Sequence, residues 1–166
     1  HTPHEYPSHG LGDLREGAVS VRQKDGTRSV DLRVVGAEVV DGKPGLPGLP
    51  ATFGENAKTL LLHLKDELIG LEVTLTYAMF DDVAGVVRHT ALHNASDADL
   101  FIERAFSMSI EMPDSNYDLI TLSGAWSRER ELIRRPLTMG EQGVSSLKGA
   151  TSLHASNMLF LARPET

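Results

Sequence analysis

Reactive side chains can do chemistry only if the fold lets them converge, and several groupings in these 166 residues invite that test. His89 and His93 stand four apart, a metal-ligand spacing on a helix. On a strand the same pair would share a face yet sit roughly 13 Å apart, too far to hold one ion. Asp66-Glu67 and Asp81-Asp82 are adjacent carboxylates. Sugar hydrolysis needs two carboxylates facing each other across about 5–10 Å of cleft, whereas neighbours on a strand point apart. Serines are plentiful, but none lies in a nucleophile-elbow pattern. The last grouping is the only tryptophan, Trp126, followed by Arg128, Glu129 and Arg130. In a concave setting an indole beside guanidinium groups is a platform for a sugar or a carboxylate. In any other setting a strand-end Trp is a packing anchor, and alternating arginines form a solvated, ion-pairing face. On a regular strand Arg128 and Arg130 share one face and Glu129 takes the other.

The elements that must position these residues read as strands. Apolar residues alternate with polar ones over 71–79, and again over 100–110 with Arg104 falling on the apolar side. Residues 117–122 form a third alternating run leading to Trp126, and 18–24, 30–40, 59–64, 86–92 and 157–162 are further candidates. Asp25-Gly26 is a turn signal closing the 18–24 run. Short breakers divide the rest, among them the proline-rich segment 42–50, whose Leu46 and Leu49 are available to a sheet edge or a second domain. Strands at intervals of roughly 10–15 residues, split by turn chemistry, indicate an all-β antiparallel β-sandwich with at most one short helix. The leucine-rich stretch 58–64 and the charged stretch 129–135 are the two places where that helix would fall.

Composition narrows the function classes. The length suits one domain over 1–166 able to bury a core without staples. No cysteine is present, which removes thiolate metal sites and redox chemistry and is compatible with a cytoplasmic setting. A net charge of −7 argues against nucleic acid as a partner. No apolar run approaches the roughly 18 residues of a membrane helix, so no membrane partner is expected, and nothing in the pattern calls for a cofactor.

Taken together the motifs resemble a known family. EYPSHGLGDLRE (5–16), GLPATF (48–53), LKDELIGLEVTLTYAMFDD (64–82), ERAFSMSIEMPDS (103–115), LSGAWSRERE (122–131) and RRPL (134–137), with Arg88 and Asn94, occur in the order of the amino-terminal β-sandwich of glycoside hydrolase family 36 α-galactosidases. Departures fall at Ala84, where the family carries aspartate, at Thr151-Ser152-Leu153, and over 154–158. The resemblance implies a non-catalytic domain packed against a following (β/α)₈ barrel that carries both catalytic aspartates. The partners it implies are that barrel, other copies in a homo-oligomer, and a galactoside at a neighbouring sugar pocket. Trp126, Arg128 and Arg130 are then candidates for that pocket or an interface. Asp13, Arg15, Asp66, Glu67 and Glu129 are candidates for structural polar networks. The alternative is a free-standing carbohydrate-binding module with Trp126 as its stacking platform. An epimerase-like enzyme on the sandwich itself lacks the His and Glu constellation it would need. A domain cut from an enzyme is also expected to bare apolar side chains, with Leu61, Phe80, Val87 and Phe101 in excess of one core.

Overall fold

The protein is represented by a computed structural model that describes residues 4–48, 51–52, 54, 56–148, 152 and 154–165. Leu49, Pro50, Phe53, Thr151 and Leu153, all part of the sequence expectations, lie outside the described residues.

Among the described residues every regular element is a strand: β1 (Val19–Arg22), β2 (Arg33–Asp41), β3 (Ala57–Asp66), β4 (Leu71–Phe80), β5 (Val86–Asn94), β6 (Phe101–Ala105), β7 (Asp118–Ala125), β8 (Arg128–Pro136) and β9 (Ala155–Ala162). All pair antiparallel. The fold is all-β, as the period-two pattern requires. Neither stretch with helical appeal is helical. The leucines of 58–64 lie within β3, between β2 and β4, where each backbone group finds a ladder partner. Residues 129–135 form most of β8, paired with β7.

The chain divides into two compact units, His1–Ile110 and Glu111–Thr166. In the first, β2-β3-β4-β5 form a sheet in sequence order and β1-β6 a two-stranded one. Period two sorts β4 as far as Leu75, beyond which Thr76 and Ala78 of the opposite face are buried and Met79 is exposed. Leu71, Val73 and Leu75 point to the core and are almost fully buried, joined by Val19 and Val21 of β1, Leu64 of β3, and Tyr6, Val30 and Ile69. Two layers closing on one apolar core is the packing of a sandwich. Removing those side chains from water is the main stabilising term, at about 1.5–3 kcal/mol for each fully buried Val or Leu. The second unit holds a three-stranded sheet in the order β8-β7-β9. Leu119 and Thr121 of its central strand are buried, whereas β8 is exposed along its whole length.

Several boundaries differ from the sequence pattern. The alternating run 100–110 forms a ladder only from Phe101 to Ala105, because β1, its partner, is four residues long. Asp25-Gly26 does form a turn, with Gly26 at φ 91°. The strand it closes pairs with distant β6 rather than with the next strand, so the turn signal was local and the pairing was not.

Candidate functional site

The β7–β8 hairpin carries the residues singled out for binding. Ala125 pairs with Arg128, so Trp126 and Ser127 form the two-residue tip. Ser127 has φ 67°, a left-handed conformation that glycine adopts freely and other residues adopt at a cost. The Glu129 carboxylate holds that tip by accepting the Ser127 N–H at 2.9 Å. Trp126 is 84% exposed. It is therefore not the packing anchor that a strand-end tryptophan usually is. A bulge follows, where the register shifts between Ser123 and Ala125 and Arg130 takes φ 55°. Regular alternation fails there, so Arg128 and Arg130 do not share a face by strand geometry. Both are exposed, as is Glu129.

The remaining polar candidates are held within the first unit. Asp13 receives Arg15 in a fork, with Nη2–Oδ2 at 2.7 Å and Nε–Oδ1 at 3.0 Å, and also takes the Arg15 backbone N–H at 3.1 Å. The guanidinium, with those hydrogen bonds, holds the Asp13 carboxyl well below the usual range. Arg15 also donates to the His4 carbonyl at 2.9 Å. Asp66 is buried at the β3–β4 turn and accepts three backbone N–H groups, from Asp31 (2.8 Å), Leu68 (2.9 Å) and Ile69 (3.2 Å). A carboxylate followed by a turn in which Gly70 has φ 68° locks the reversal without any ligand. Glu67, next to it, is exposed and pairs with Lys65 at 3.3 Å.

Two clusters were not picked out from sequence. Glu103, on β6, gathers Arg28 (2.7 Å), Arg22 (3.0 Å) and Ser20 (3.3 Å). Arg28 above all, then Arg22, pulls its carboxyl down to about 2. Glu5 accepts from Arg88 (2.7 Å) and the Tyr77 hydroxyl (2.8 Å), with the Arg88 guanidinium 4.5 Å from the Tyr77 ring centroid. Burial, then the bond to Glu5, pushes Tyr77 up to about 12. The advance signal was that Glu5, Tyr77, Arg88 and Glu103 all fall within the quoted motifs; that Glu5 meets Tyr77 and Arg88, and that Glu103 meets Arg28 and Arg22, joins residues far apart in sequence.

His89 and His93 do lie on one strand, β5, opposite Thr76 and Glu72. Burial chiefly, and Lys43 next, lowers the His89 imidazole below its ordinary value. Among the described residues no three His, Cys, Asp or Glu side chains are grouped to hold a metal ion. Among the described residues every carboxyl group with a displaced titration, Asp13, Asp25, Glu103 and Asp114, is displaced downward by hydrogen bonds. A general acid for glycosidic cleavage needs the opposite shift. These groups are ion-pair and turn partners, not proton donors.

Comparison with known proteins decides the family. The model of the glycosyl hydrolase family 36 N-terminal domain matches residues 1–166. The chain belongs to that family. It is 42% identical over 165 residues to alpha-galactosidase C of Emericella nidulans, covering 98% of this chain and 22% of that protein. It is 43% identical over 156 residues to alpha-galactosidase AgaA of Geobacillus stearothermophilus, covering 92% and 21%. The crystal structure of the family 36 alpha-galactosidase AgaB from the same organism superposes with a TM-score of 0.92 at 41% identity, over 98% of this chain and 23% of that one. A variant of AgaA crystallised with stachyose matches with a TM-score of 0.90 at 40% identity, covering 96% and 23%. This family 36 N-terminal domain thus spans less than a quarter of the length of these relatives.

Proposed function

We propose that this chain is the non-catalytic amino-terminal domain of a retaining α-galactosidase, serving as a docking surface for a catalytic (β/α)₈ barrel in the same parent chain and as part of a homo-oligomer interface. The observation that carries the reading is the asymmetry of coverage: the match takes 98% of this chain but 22% of a named α-galactosidase. The site chemistry agrees, since the displaced carboxyl groups are all stabilised as anions. The parent's substrates would be terminal α-galactosides; AgaA has been crystallised with stachyose and with raffinose. A direct test compares raffinose hydrolysis by the 166-residue chain and by the whole gene product. The first should release no galactose and the second should; turnover by the short chain would overturn the proposal.

A second reading has its own support. An indole exposed on a constrained hairpin tip, beside Arg128, is also the geometry of a stacking platform in a free-standing carbohydrate-binding module. Calorimetry with galactose and melibiose separates the two. Saturable heat abolished by Trp126→Ala would favour the module.

A further inference from the structure

The outer face of the four-stranded sheet, opposite Leu71, Val73 and Leu75, is sealed at one end. Ala57 and Thr59 of β3 and Thr76 and Ala78 of β4 lie on it and are buried. The connection from β2 to β3 supplies cover. Gly42 N–H donates to the Ala57 carbonyl at 2.7 Å, and the Gly42 carbonyl accepts from the Thr59 hydroxyl at 2.7 Å. At the far end the Asn56 carbonyl accepts the Asp81 N–H at 3.0 Å. Between these anchors Gly54 lies so close to Phe80 that a β-carbon there would overlap the ring, and Thr52 lines one cavity with Val87. The described residues of this connection thus reach β3, β4 and β5.

His89 stands on this same face. Register sets it opposite Thr76, one row along from Ala78 and Val87. Its Nδ1 is buried without a hydrogen-bond partner. Lys43, next to the Gly42 anchor, is half-buried and acts on the ring electrostatically. A neutral imidazole tolerates that setting, with its proton on Nε2 and Nδ1 left as an unused acceptor. An imidazolium does not. Nδ1 would carry a buried N–H with nothing to accept it, and the ring would face Lys43 as a second positive charge. From β4 the ring meets Thr74, Thr76 and Ala78, and along β5 Val87 and Ala91, none of them charged. Titratable groups on this face of β3, β4 and β5 are His63, one row away, and Lys65, Glu72 and His93, two rows away. Glu38 of β2 is three strands off, and Glu55 of the connection lies outside the described residues.

We propose that His89 is a pH-sensitive latch beneath the β2–β3 connection: the neutral ring leaves the connection seated, and protonation loosens its anchors at Gly42 and Asn56. Lifting the connection admits water to Nδ1 and takes Lys43 away, so the loosened form binds the proton more readily than the seated one. Seated, the imidazole titrates below its ordinary 6.5; released, it returns there. The seat is therefore held fully above 6.5 and is given up as pH falls through the seated value. Mild acid then uncovers Thr59, Thr76 and Ala78, which are sealed while the ring is neutral.

Amide hydrogen exchange of the 166-residue chain, expressed as protection relative to the unstructured rate at each pH, tests the latch. Between about pH 7.5 and about pH 5 the Gly42 and Asp81 amides should lose protection at least about three-fold. The Val73 and Leu75 amides, inside the central ladder, should keep theirs. His89→Gln, which cannot take the proton, should remove the loss, and Lys43→Gln should lessen it. Unchanged protection at Gly42 and Asp81 in the unaltered chain would overturn the latch. So would an equal loss in His89→Gln, which would assign the titration to another group such as His63, His93 or Glu55. A parallel loss at Val73 and Leu75 would mean unfolding of the whole sheet and would refute it too. The imidazole resonances supply a measurement that needs no variant. The His89 titration midpoint should lie below 6.5 and coincide with the midpoint of the lost protection; two separate midpoints would refute the latch.

Discussion

Two hairpins, one joined by residues 67–70 and one by Trp126 and Ser127, sit in very different surroundings. The β3–β4 reversal is anchored by buried Asp66, with three backbone N–H groups satisfied by one carboxylate and glycine at the left-handed position. The β7–β8 reversal places serine at the left-handed position and lifts Trp126 into solvent, held by one hydrogen bond from Ser127 to Glu129. The first is built for stability. The second places a non-glycine residue at positive φ beside a large aromatic that stands in solvent. The contrast shows that in this domain the strongest sequence motif, around Trp126, is not the strongest structural feature.

Four measurements would break or sharpen that contrast. Leu75→Ala on β4 removes a fully buried side chain and should cost about 2–5 kcal/mol by urea unfolding, whereas Leu132→Ala on exposed β8 should stay within about 0.5 kcal/mol. Comparable losses would mean that the two hairpins are equally integral. Asp66→Ala strands the buried N–H of Ile69 among others and should cost about 1–3 kcal/mol. Its counterpart Glu129→Ala, at an exposed tip, should be nearly silent.

Acidification gives a third handle. Glu103 titrates near 2 in the folded chain against an ordinary 4.5, so its pairing with Arg28 and Arg22 stabilises the fold fully above 4.5. That contribution is lost as pH falls from 4.5 through about 2. Unfolding curves taken across this window should show a shallower acid loss for Glu103→Gln than for the unaltered chain; identical slopes would show that the cluster contributes nothing. The smallest effect is expected at the displayed tip. Ser127→Gly relieves the positive φ and should gain roughly 0.5–1 kcal/mol. A loss instead would show that the serine is held by contacts that outweigh the strain.

The strand character of nearly every element was legible in advance, because a half-buried strand must alternate and 71–75 does so in both residue type and burial. Reading 129–135 as a possible helix failed for a definite reason. A charged edge strand exposed on both faces has no apolar alternation to display. The 100–110 run was over-read at its far end because alternation reports a capacity to pair, and pairing needs a partner as long as itself. The placement of Arg128 and Arg130 on one face failed at the bulge, where a positive φ at a non-glycine residue leaves no mark in the sequence.

By itself the sequence determined the all-β class, the buried face of β4 from Leu71 to Leu75, the turn residues and, through the order of its motifs, the family. Each of these depends on local backbone preference, on burial repeated every second residue, or on motif order. Only the tertiary structure decided that β1 pairs with β6 across the length of the sheet between them, that Glu103 collects Arg22 and Arg28, and that Trp126 stands in solvent. Those facts are set by which distant segments meet, and side chains far apart in the chain carry no record of their neighbours until the backbone brings them together.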